Sequence, residues 1–243
     1  MENDIERLVP GKHVHSLYIA HLSRYLFAID YFQEKRVVVN KVLDAGCGSG
    51  YGSKELSKHF PKIIGIDVSE EAVNYSLRNY SDPKIEFRVM DLHNLDFIDA
   101  SFDAVINFEV IEHLDRQEDV IRDFKRILKP GGYLIISTPY NHGNASKNPY
   151  HPNELNLDQF KELVLTSFKD VEIYSQKRRM TEVKQKTSAK APLWIKRIVP
   201  RFVKNLFDRL MGVTPFEEMT VDDYIIDNNL ETGIVLIGIA RKL

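Results

Sequence analysis

The stretch VLDAGCGSGYGSKELSKHF, residues 42–60, decides the fold of this chain. Four nearly apolar residues lead into closely spaced glycines, and a segment of helical character follows them. Glycines directly after a buried strand let the backbone turn tightly and approach a ligand, while the next helix offers unpaired amides at its start. The stretch therefore predicts a strand, a ligand-binding turn and a helix.

The spacing of these glycines argues against two common phosphate-binding loops. Gly46, Gly48 and Gly50 recur at every second position, and Tyr51 and Ser53 stand where the dinucleotide-binding pattern needs its third glycine. The Walker pattern requires a Gly-Lys-Ser or Gly-Lys-Thr triplet, which does not occur in the sequence. A dehydrogenase is therefore a remote alternative, and phosphate binding is not the evident purpose of the loop.

Two acids accompany the glycines. Asp44 lies on the strand before the turn, and Asp67 ends the next predicted strand. A carboxylate at this second place suits the two hydroxyls of a ribose, because it can accept two hydrogen bonds at once. The ligand is therefore predicted to contain a ribose.

Composition and charge limit the other functions of the chain. Its 243 residues are 43% hydrophobic and 28% charged, with a formal net charge of -2, so nothing in the overall charge attracts nucleic acid or anionic lipid. The single cysteine excludes an internal disulfide, and the acidic start MENDIERLVPG does not resemble a secretory signal. No apolar run approaches the roughly 20 residues that span a bilayer. We expect a cytoplasmic protein in a reducing compartment.

Short apolar runs of strand type alternate with helical segments along most of the chain, which predicts an α/β fold with a parallel sheet. A broad apolar stripe predicts a helix near residues 14–33, and Ser69 is expected to cap a later one. We expect a single domain over residues 1–243. Its predicted parts are a helical cap at 1–37, a core at 38–176, a basic helical insertion at 177–220 and a last strand within 221–243.

Five motifs follow one another along residues 38–140: DAGCGSG, GIDVS, VMDLHNLDF, SFDAVINFEVIEHL and LKPGGYLIISTP. In this order they resemble the motifs of class I S-adenosylmethionine-dependent methyltransferases. The resemblance implies a Rossmann-like three-layer sandwich whose seven-stranded, mostly parallel sheet has a reversed last strand, and TGIVLIGIARK fits that strand. It also implies S-adenosylmethionine as the cofactor.

The resemblance further implies which residues hold the cofactor, and these are Asp44, Gly46, Cys47, Gly48, Gly50, Asp67, Val68, Asp91, Leu92, Asn107, Phe108 and Glu109. Asp67 is expected at the ribose, Asp91 at the adenine amino group and Glu109 at the methionine end. Cys47 is expected to be a small side chain packed in the turn, since no base stands beside it to make it a nucleophile.

The segment EVIEHL, residues 109–114, follows the fourth predicted strand and lies at the carboxyl edge of the sheet, where open α/β folds bind ligands. Methyl transfer to a hydroxyl requires removal of its proton, and His113 is the leading candidate for that base. The alternative is that His113 only shapes the pocket. Glu112 and His151 complete the predicted catalytic residues, although His151 fits equally well as a turn residue bonded to Glu154.

The spacing of Glu109, Glu112 and His113 also resembles a divalent-metal triad found in some methyltransferases of quinone precursors and of small-RNA 3′ ends. A metal there would lower the pKa of the acceptor hydroxyl. His142 or His151 would supply a further ligand. Similar strings occur in members of the superfamily that are not known to need metal, so the sequence leaves base catalysis and metal catalysis open.

The segments that flank the core resemble methyltransferases encoded among bacterial genes for glycan and surface-polysaccharide assembly. This implies a hydroxyl of a sugar, a glycan intermediate or a related small molecule as the acceptor. Four tyrosines are candidate platforms for a sugar ring, with core packing as the alternative for the first two: Tyr18, Tyr25, Tyr140 and Tyr150. The alternative functions are a metal-assisted O-methyltransferase of a phenol or quinone precursor and a non-catalytic S-adenosylmethionine-binding subunit.

The segment 177–209 is strongly basic and contains only two acids, Glu182 and Asp208. Within residues 190–212, apolar and cationic side chains alternate in a pattern that Pro200 interrupts. This pattern predicts an interfacial amphipathic helix in contact with an anionic membrane surface, and a lid over the acceptor is the alternative. Because no nucleic-acid-binding module is present, nucleic acid is not an expected partner.

Overall fold

The computed structural model describes residues 15–143, 152–179 and 219–243. These residues form a three-layer α/β sandwich with one sheet between two layers of helices. The helices are α1 His15–Glu34, α2 Tyr51–Leu56, α3 Glu70–Asn79, α4 Gln117–Ile127 and α5 Leu157–Leu165. The strands are β1 Lys41–Ala45, β2 Lys62–Asp67, β3 Ile85–Val89, β4 Phe102–Phe108, β5 Leu128–Pro139, β6 Glu172–Arg178, β7 Tyr224–Asp227 and β8 Val235–Arg241.

The sheet corrects the predicted number of strands. Within the described ranges, eight strands pair in the order β3-β2-β1-β4-β5-β8-β6-β7. Strands β1 to β5 are parallel, β8 is antiparallel to both β5 and β6, and β7 is antiparallel to β6. The predicted reversed strand near the end of the chain is β8. Strand β7 was not predicted because it is only four residues long and all four are half-buried, so it lacks the pattern of a core strand.

Two apolar cores lie on opposite faces of the sheet, because successive side chains of a strand point to opposite sides. Leu43 of β1 packs with α4 and α5, whereas its neighbour Val42 packs with α1 and α2. The helix predicted near residues 14–33 is confirmed as α1, and Ile29 and Phe32 on it are each 1% exposed in the second core. Helix α1 is therefore part of one layer of the sandwich.

Helix α3 begins where the sequence predicts. The Ser69 hydroxyl accepts a hydrogen bond from the amide of Ala72 at 3.3 Å, and Glu70 and Glu71 occupy the first turn, where the helix dipole favours acids. The amide of Ser69 in turn donates to Asp67 Oδ1 at 2.9 Å. The start of α3 thus fixes the acid that ends β2.

Part of the sequence prediction falls outside the described residues. Residues 180–218 contain nearly all of the predicted basic insertion and the whole of the predicted membrane-binding segment 190–212, and residues 144–151 contain Tyr150 and His151. Among the described helices, none has the length and apolar character that crossing a membrane requires.

Candidate functional site

A cavity of about 440 Å³ lies at the carboxyl ends of the parallel strands, beside α1. This volume is in the range of ligand-binding pockets, which is roughly 300–1,000 Å³. Nine of the predicted cofactor residues line the cavity: Gly46, Cys47, Gly48, Asp67, Val68, Asp91, Leu92, Phe108 and Glu109. His113, the predicted base, lines it as well. The structure therefore brings together residues from four separate sequence motifs.

Three predicted cofactor residues lie behind the cavity wall. Asp44 is 1% exposed beneath the glycine turn. Asn107 is buried and donates from Nδ2 to the carbonyl of Ala45 at 2.8 Å. Gly50 begins α2 with a positive φ of 83°, a conformation that favours glycine. These residues hold the turn in place.

The glycine turn leaves open space on its cavity side. Gly48 has a positive φ of 53°, and a Cβ added to it would meet no atom within 4 Å. A Cβ on Gly46, by contrast, would lie 2.4 Å from a methyl group of Val110. Cys47 lines the cavity between them, and burial raises the pKa of its thiol well above the usual value, so the thiol stays protonated. This geometry agrees with a packed cysteine and an accessible backbone at Gly48.

Asp44 connects the turn to two helices. Its Oδ1 accepts a hydrogen bond from the Tyr25 hydroxyl at 3.1 Å, and its Oδ2 accepts one from the Ser53 hydroxyl at 2.6 Å. Burial raises the pKa of the Asp44 carboxyl to about 6, although the two hydroxyl donors act in the opposite direction. The carboxylate therefore joins α1 and α2 beneath the turn.

Asp67 and Asp91 lie at the end of the cavity beside β2 and β3, and both keep free acceptor sites. Asp67 accepts the amide of Gly48 at 3.0 Å on Oδ2 and that of Ser69 on Oδ1. Each carboxylate oxygen has a second lone pair, so Asp67 can still accept two ribose hydroxyls. Asp91 accepts the amide of His93 at 2.9 Å, and this bond lowers the pKa of the Asp91 carboxyl. Asp91 is thus ionised and able to accept from an amino group.

The other end of the cavity, beside β4 and α1, combines an acid, two histidines and aromatic rings. Glu109 follows β4 with a positive φ of 56°, and the Ser137 hydroxyl donates to its Oε1 at 3.0 Å. His113 ends a short 3-10 helix after Glu109. His21 of α1 also lines this end, and burial lowers the pKa of its imidazole well below the usual value, with Arg24 adding to the effect.

Sequence reasoning missed His21 and Tyr51 as cavity residues, and it gave Tyr25 only as a sugar platform or a core residue. The ring of Tyr25 packs edge-on against Tyr51 and Phe108, with centroid distances of 6.0 and 5.0 Å. The cavity side of α1 is recognisable in retrospect, because His21 and Tyr25 are four residues apart on one face of the helix. The apolar stripe of α1 alone did not reveal which helix face meets the cavity.

The side chains of the possible metal triad do not converge in the described residues. Glu112 is fully buried, and its Oε2 accepts from the Thr138 hydroxyl at 3.4 Å, so its side chain is behind the cavity wall. Burial raises the pKa of Glu112 well above the usual value, and the charge of Glu109 adds to this. In the part of the chain that the structure describes, no three His, Cys, Asp or Glu side chains converge as a metal site. Nε2 of His142, a proposed further ligand, lies 2.7 Å from the carbonyl of Gly233.

The residues present fit S-adenosylmethionine. The open face of Gly48 admits the close approach of a ligand, and Asp67 and Asp91 retain acceptor sites for hydroxyl and amino donors. Glu109 adds a carboxylate at the opposite end, because Asp67 and Asp91 lie at the ends of β2 and β3 on one side of β1, whereas Glu109 follows β4 on the other side. The chemistry of this donor set therefore matches a nucleoside at one end and a cationic group at the other.

Comparison with known proteins points to the same ligand. Residues 43–136 match the family model described as a methyltransferase domain. A probable S-adenosylmethionine-dependent methyltransferase of Mycolicibacterium smegmatis is 38% identical over 136 residues, which cover 54% of this chain and 52% of that protein. One of Mycobacterium tuberculosis is 37% identical over 142 residues, covering 56% and 51%. The chain spans about half the length of these curated relatives.

A solved structure shares the fold. The crystal structure of a SAM-dependent methyltransferase from Archaeoglobus fulgidus matches with a TM-score of 0.62 over 94% of both chains, at 18% sequence identity. Together with the family match, the curated relatives support S-adenosylmethionine as the cofactor of this site. Their names do not specify an acceptor.

Proposed function

We propose that this chain, whose residues 43–136 match the methyltransferase domain family, is a class I S-adenosylmethionine-dependent methyltransferase. The main support is one cavity that joins the open turn at Gly48 and the acid Asp67 to Glu109 and His113. This arrangement pairs a nucleoside-binding end with an end that carries proton-accepting groups. It is the arrangement that methyl transfer to a second substrate needs.

The predicted cofactor residues then have distinct roles in binding. Asp67 accepts the ribose hydroxyls, and Asp91 accepts the adenine amino group. Val68 and Leu92 lie beside the adenine ring, since they follow the neighbouring strands β2 and β3 and both line the cavity. Glu109 faces the methionine end. Asp44 acts indirectly, because it holds the turn through Tyr25 and Ser53.

His113 is the proposed base. The bound cofactor supplies an electrophilic methyl group on a sulfonium sulfur. His113 would take the proton of the acceptor hydroxyl as that oxygen is methylated, and would later release it to solvent. The rings of Tyr25 and Phe108 exclude water from this end. Glu112 supports the 3-10 helix that bears His113, because its Oε2 accepts a hydrogen bond from the Thr138 hydroxyl of β5. His151 is the third proposed catalytic residue and lies outside the described residues.

We further propose that the acceptor is a hydroxyl of a sugar, a glycan intermediate or a related small molecule. The resemblance of the flanking segments to glycan-assembly methyltransferases supports this class. Aromatic rings on the cavity wall support it as well, because sugar rings pack on aromatic faces. Tyr18 extends the aromatic surface, since its ring packs edge-on against Tyr51 with a centroid distance of 5.2 Å.

We propose from the sequence alone that residues 190–212 contact an anionic membrane surface. Flotation with liposomes of anionic and of neutral lipid tests it, and equal flotation with both would contradict it.

Cofactor binding is tested by calorimetric titration with S-adenosylhomocysteine, beside NAD. We expect binding of S-adenosylhomocysteine only, weakened roughly 10- to 100-fold by Asp67→Ala because hydrogen bonds to a charged carboxylate are lost. Asp158→Ala is the matched control, since Asp158 is an exposed acid of α5 that does not line the cavity. The proposal is wrong if a folded protein binds no S-adenosylhomocysteine.

Catalysis is tested with methyl-labelled cofactor against a panel of saccharides, phenols and quinone precursors. We expect His113→Ala to lose turnover while keeping affinity for S-adenosylhomocysteine, because the base acts on the acceptor. Retained biological function in His113→Ala and Glu112→Ala would instead favour the non-catalytic subunit.

A further inference from the structure

We propose that Arg24 positions Glu109 to bind the α-ammonium group of the cofactor's methionine end. Arg24 lies on α1, outside the residues that match the methyltransferase domain, and it acts through Glu109 without touching the ligand. This inference rests on the proposed function, because it assigns a partner to one end of the cofactor. Calorimetry with three ligands distinguishes a failure of this inference from a failure of the proposed function.

The backbone of Glu109 is held in an unfavourable conformation. Its φ of 56° lies in the left-handed region, which is strained for a residue other than glycine. The amide of Glu109 donates to the carbonyl of Ser137 at 3.2 Å, and the Ser137 hydroxyl donates to Glu109 Oε1 at 3.0 Å. Conformations of this kind persist where surrounding contacts determine them, and they concentrate at binding sites. The contacts of Glu109 thus direct its carboxylate to the cavity wall.

Arg24 is the cation behind that wall. Its side chain is 2% exposed, and its Nη1 donates to Gln176 Oε1 at 2.5 Å. Gln176 is itself fixed, because its Nε2 donates to the Ala20 carbonyl and the Ser23 hydroxyl, each at 2.7 Å. The guanidinium is therefore locked between α1 and β6 and cannot swing into solvent.

The charge of Arg24 needs a partner, since an unpaired buried charge is strongly destabilising. Its Nη2 lies 4.0 Å from Glu109 Oε2, and Nε and Nη2 have no hydrogen-bond partner in the described structure. Among the described residues, Glu112 is another acid near Arg24, and burial raises the pKa of its carboxyl well above the usual value, which disfavours its charged form. Glu109 is therefore the carboxylate that pairs with Arg24 in the described structure, and the pairing holds it at the cavity wall.

The carboxylate of Glu109 retains acceptor capacity for a ligand. Oε1 receives one hydrogen bond, from Ser137, and Oε2 is too far from Arg24 for a hydrogen bond. The acids Asp67 and Asp91 serve the nucleoside end, which leaves Glu109 as the acid for a cation at the opposite end. An ammonium group fits this position. An amine on the acceptor would present the same chemistry, so the experiment must distinguish the two sources.

The experiment is calorimetry with three ligands on the full chain. They are S-adenosylhomocysteine, its analogue lacking only the α-amino group, and 5′-methylthioadenosine, which lacks the whole amino-acid end. For Glu109→Gln we expect at least a tenfold loss of affinity for S-adenosylhomocysteine and less than a threefold change for the other two. Unchanged affinity for S-adenosylhomocysteine would contradict the proposal and leave an amine acceptor as the source of the ammonium.

The role of Arg24 is tested with Arg24→Lys, which keeps the charge but not the fork of donors. We expect a selective loss for S-adenosylhomocysteine, and no further loss when Arg24→Lys is combined with Glu109→Gln, because both changes remove one interaction. Arg122→Lys is the control, an exposed arginine of α4. If Arg24→Lys weakens 5′-methylthioadenosine equally or prevents folding, Arg24 is only structural and the positioning role is wrong. Failure of the wild-type chain to bind any of the three ligands would instead contradict the proposed function.

Discussion

Asp44 is a buried carboxyl whose hydrogen-bond donors are two hydroxyl groups, from Tyr25 and Ser53. Because its pKa is about 6 in the folded protein and near 4 in an unfolded chain, the folded state holds the proton more tightly. The stabilising contribution of this group is therefore complete below about pH 4 and is lost as the pH rises through about 6.

We expect Asp44→Asn to remove this dependence, because an amide of the same shape stays neutral and can still accept from Tyr25. Relative to wild type, the variant should gain roughly 1–3 kcal/mol in free energy of unfolding between about pH 4 and pH 6, and the difference should stay constant above that. Urea denaturation at a series of pH values measures this. A difference that does not vary with pH would show that Asp44 has an ordinary pKa.

Gly48 and Gly143 provide a matched pair of glycines. Both have a positive φ, and a Cβ on either would meet no atom within 4 Å, but only Gly48 lines the cavity. We expect each alanine variant to lose about 1 kcal/mol of stability through backbone strain. Only Gly48→Ala should lose affinity for S-adenosylhomocysteine, by tenfold or more, because its methyl group fills the ligand's place. Equal affinity in calorimetry of both variants would place the cofactor elsewhere.

At the scale of elements, α1 and α2 meet at Tyr25 and Gly52. A Cβ on Gly52 would lie 2.0 Å from Tyr25 Cζ, and that ring cannot easily move because Asp44 holds its hydroxyl and Phe108 packs against its edge. Alanine is a better helix former than glycine by about 1 kcal/mol, so propensity and packing oppose each other here. Packing dominates, because the interior is close-packed.

We therefore expect Gly52→Ala to destabilise the protein by about 1–3 kcal/mol. The same change made in a Tyr25→Ala background should cost less or become favourable, since the obstructing ring is gone. Chemical denaturation of the four proteins of this cycle gives the coupling. Additive effects would mean that α1 and α2 do not meet at this contact.

The contrast between local and distant contacts explains which residues of the candidate site could be predicted from the sequence. Asp67 was identified because it ends a strand, and the carboxyl ends of parallel strands converge at one edge of the sheet. Asp91 was identified through the resemblance of VMDLHNLDF to a family motif. The contact between Arg24 and Gln176 joins residues 152 positions apart, and no local pattern reports it. The possible metal triad was misjudged for a related reason. The spacing of its residues in the sequence did not reveal that Glu112, on the 3-10 helix, faces the interior.

At the scale of the whole molecule, the cavity draws its walls from α1 and from the ends of several strands. A ligand in this cavity binds only the folded arrangement, so it shifts the unfolding equilibrium of the entire domain. Saturation at about 100 times Kd adds roughly 2.7 kcal/mol to the free energy of unfolding.

We expect S-adenosylhomocysteine at that level to raise the melting temperature by roughly 5–10 °C, as scaled for a domain of this size. At the same ligand concentration, Asp67→Ala should show a smaller rise. Scanning calorimetry with and without ligand measures both. An equal rise for the variant would indicate that the ligand stabilises the protein through some other surface.

The position of β8 has a consequence for synthesis on the ribosome. This strand follows every other described strand in the sequence, yet it lies between β5 and β6 and is the link through which β6 and β7 join the sheet. The five parallel strands can associate while the chain is still emerging, since they are contiguous in both sequence and space. The edge formed by β6 and β7 has to wait for residues 235–241 to leave the exit tunnel. Until then β5 presents an unpaired edge, and unpaired strand edges are prone to aggregation.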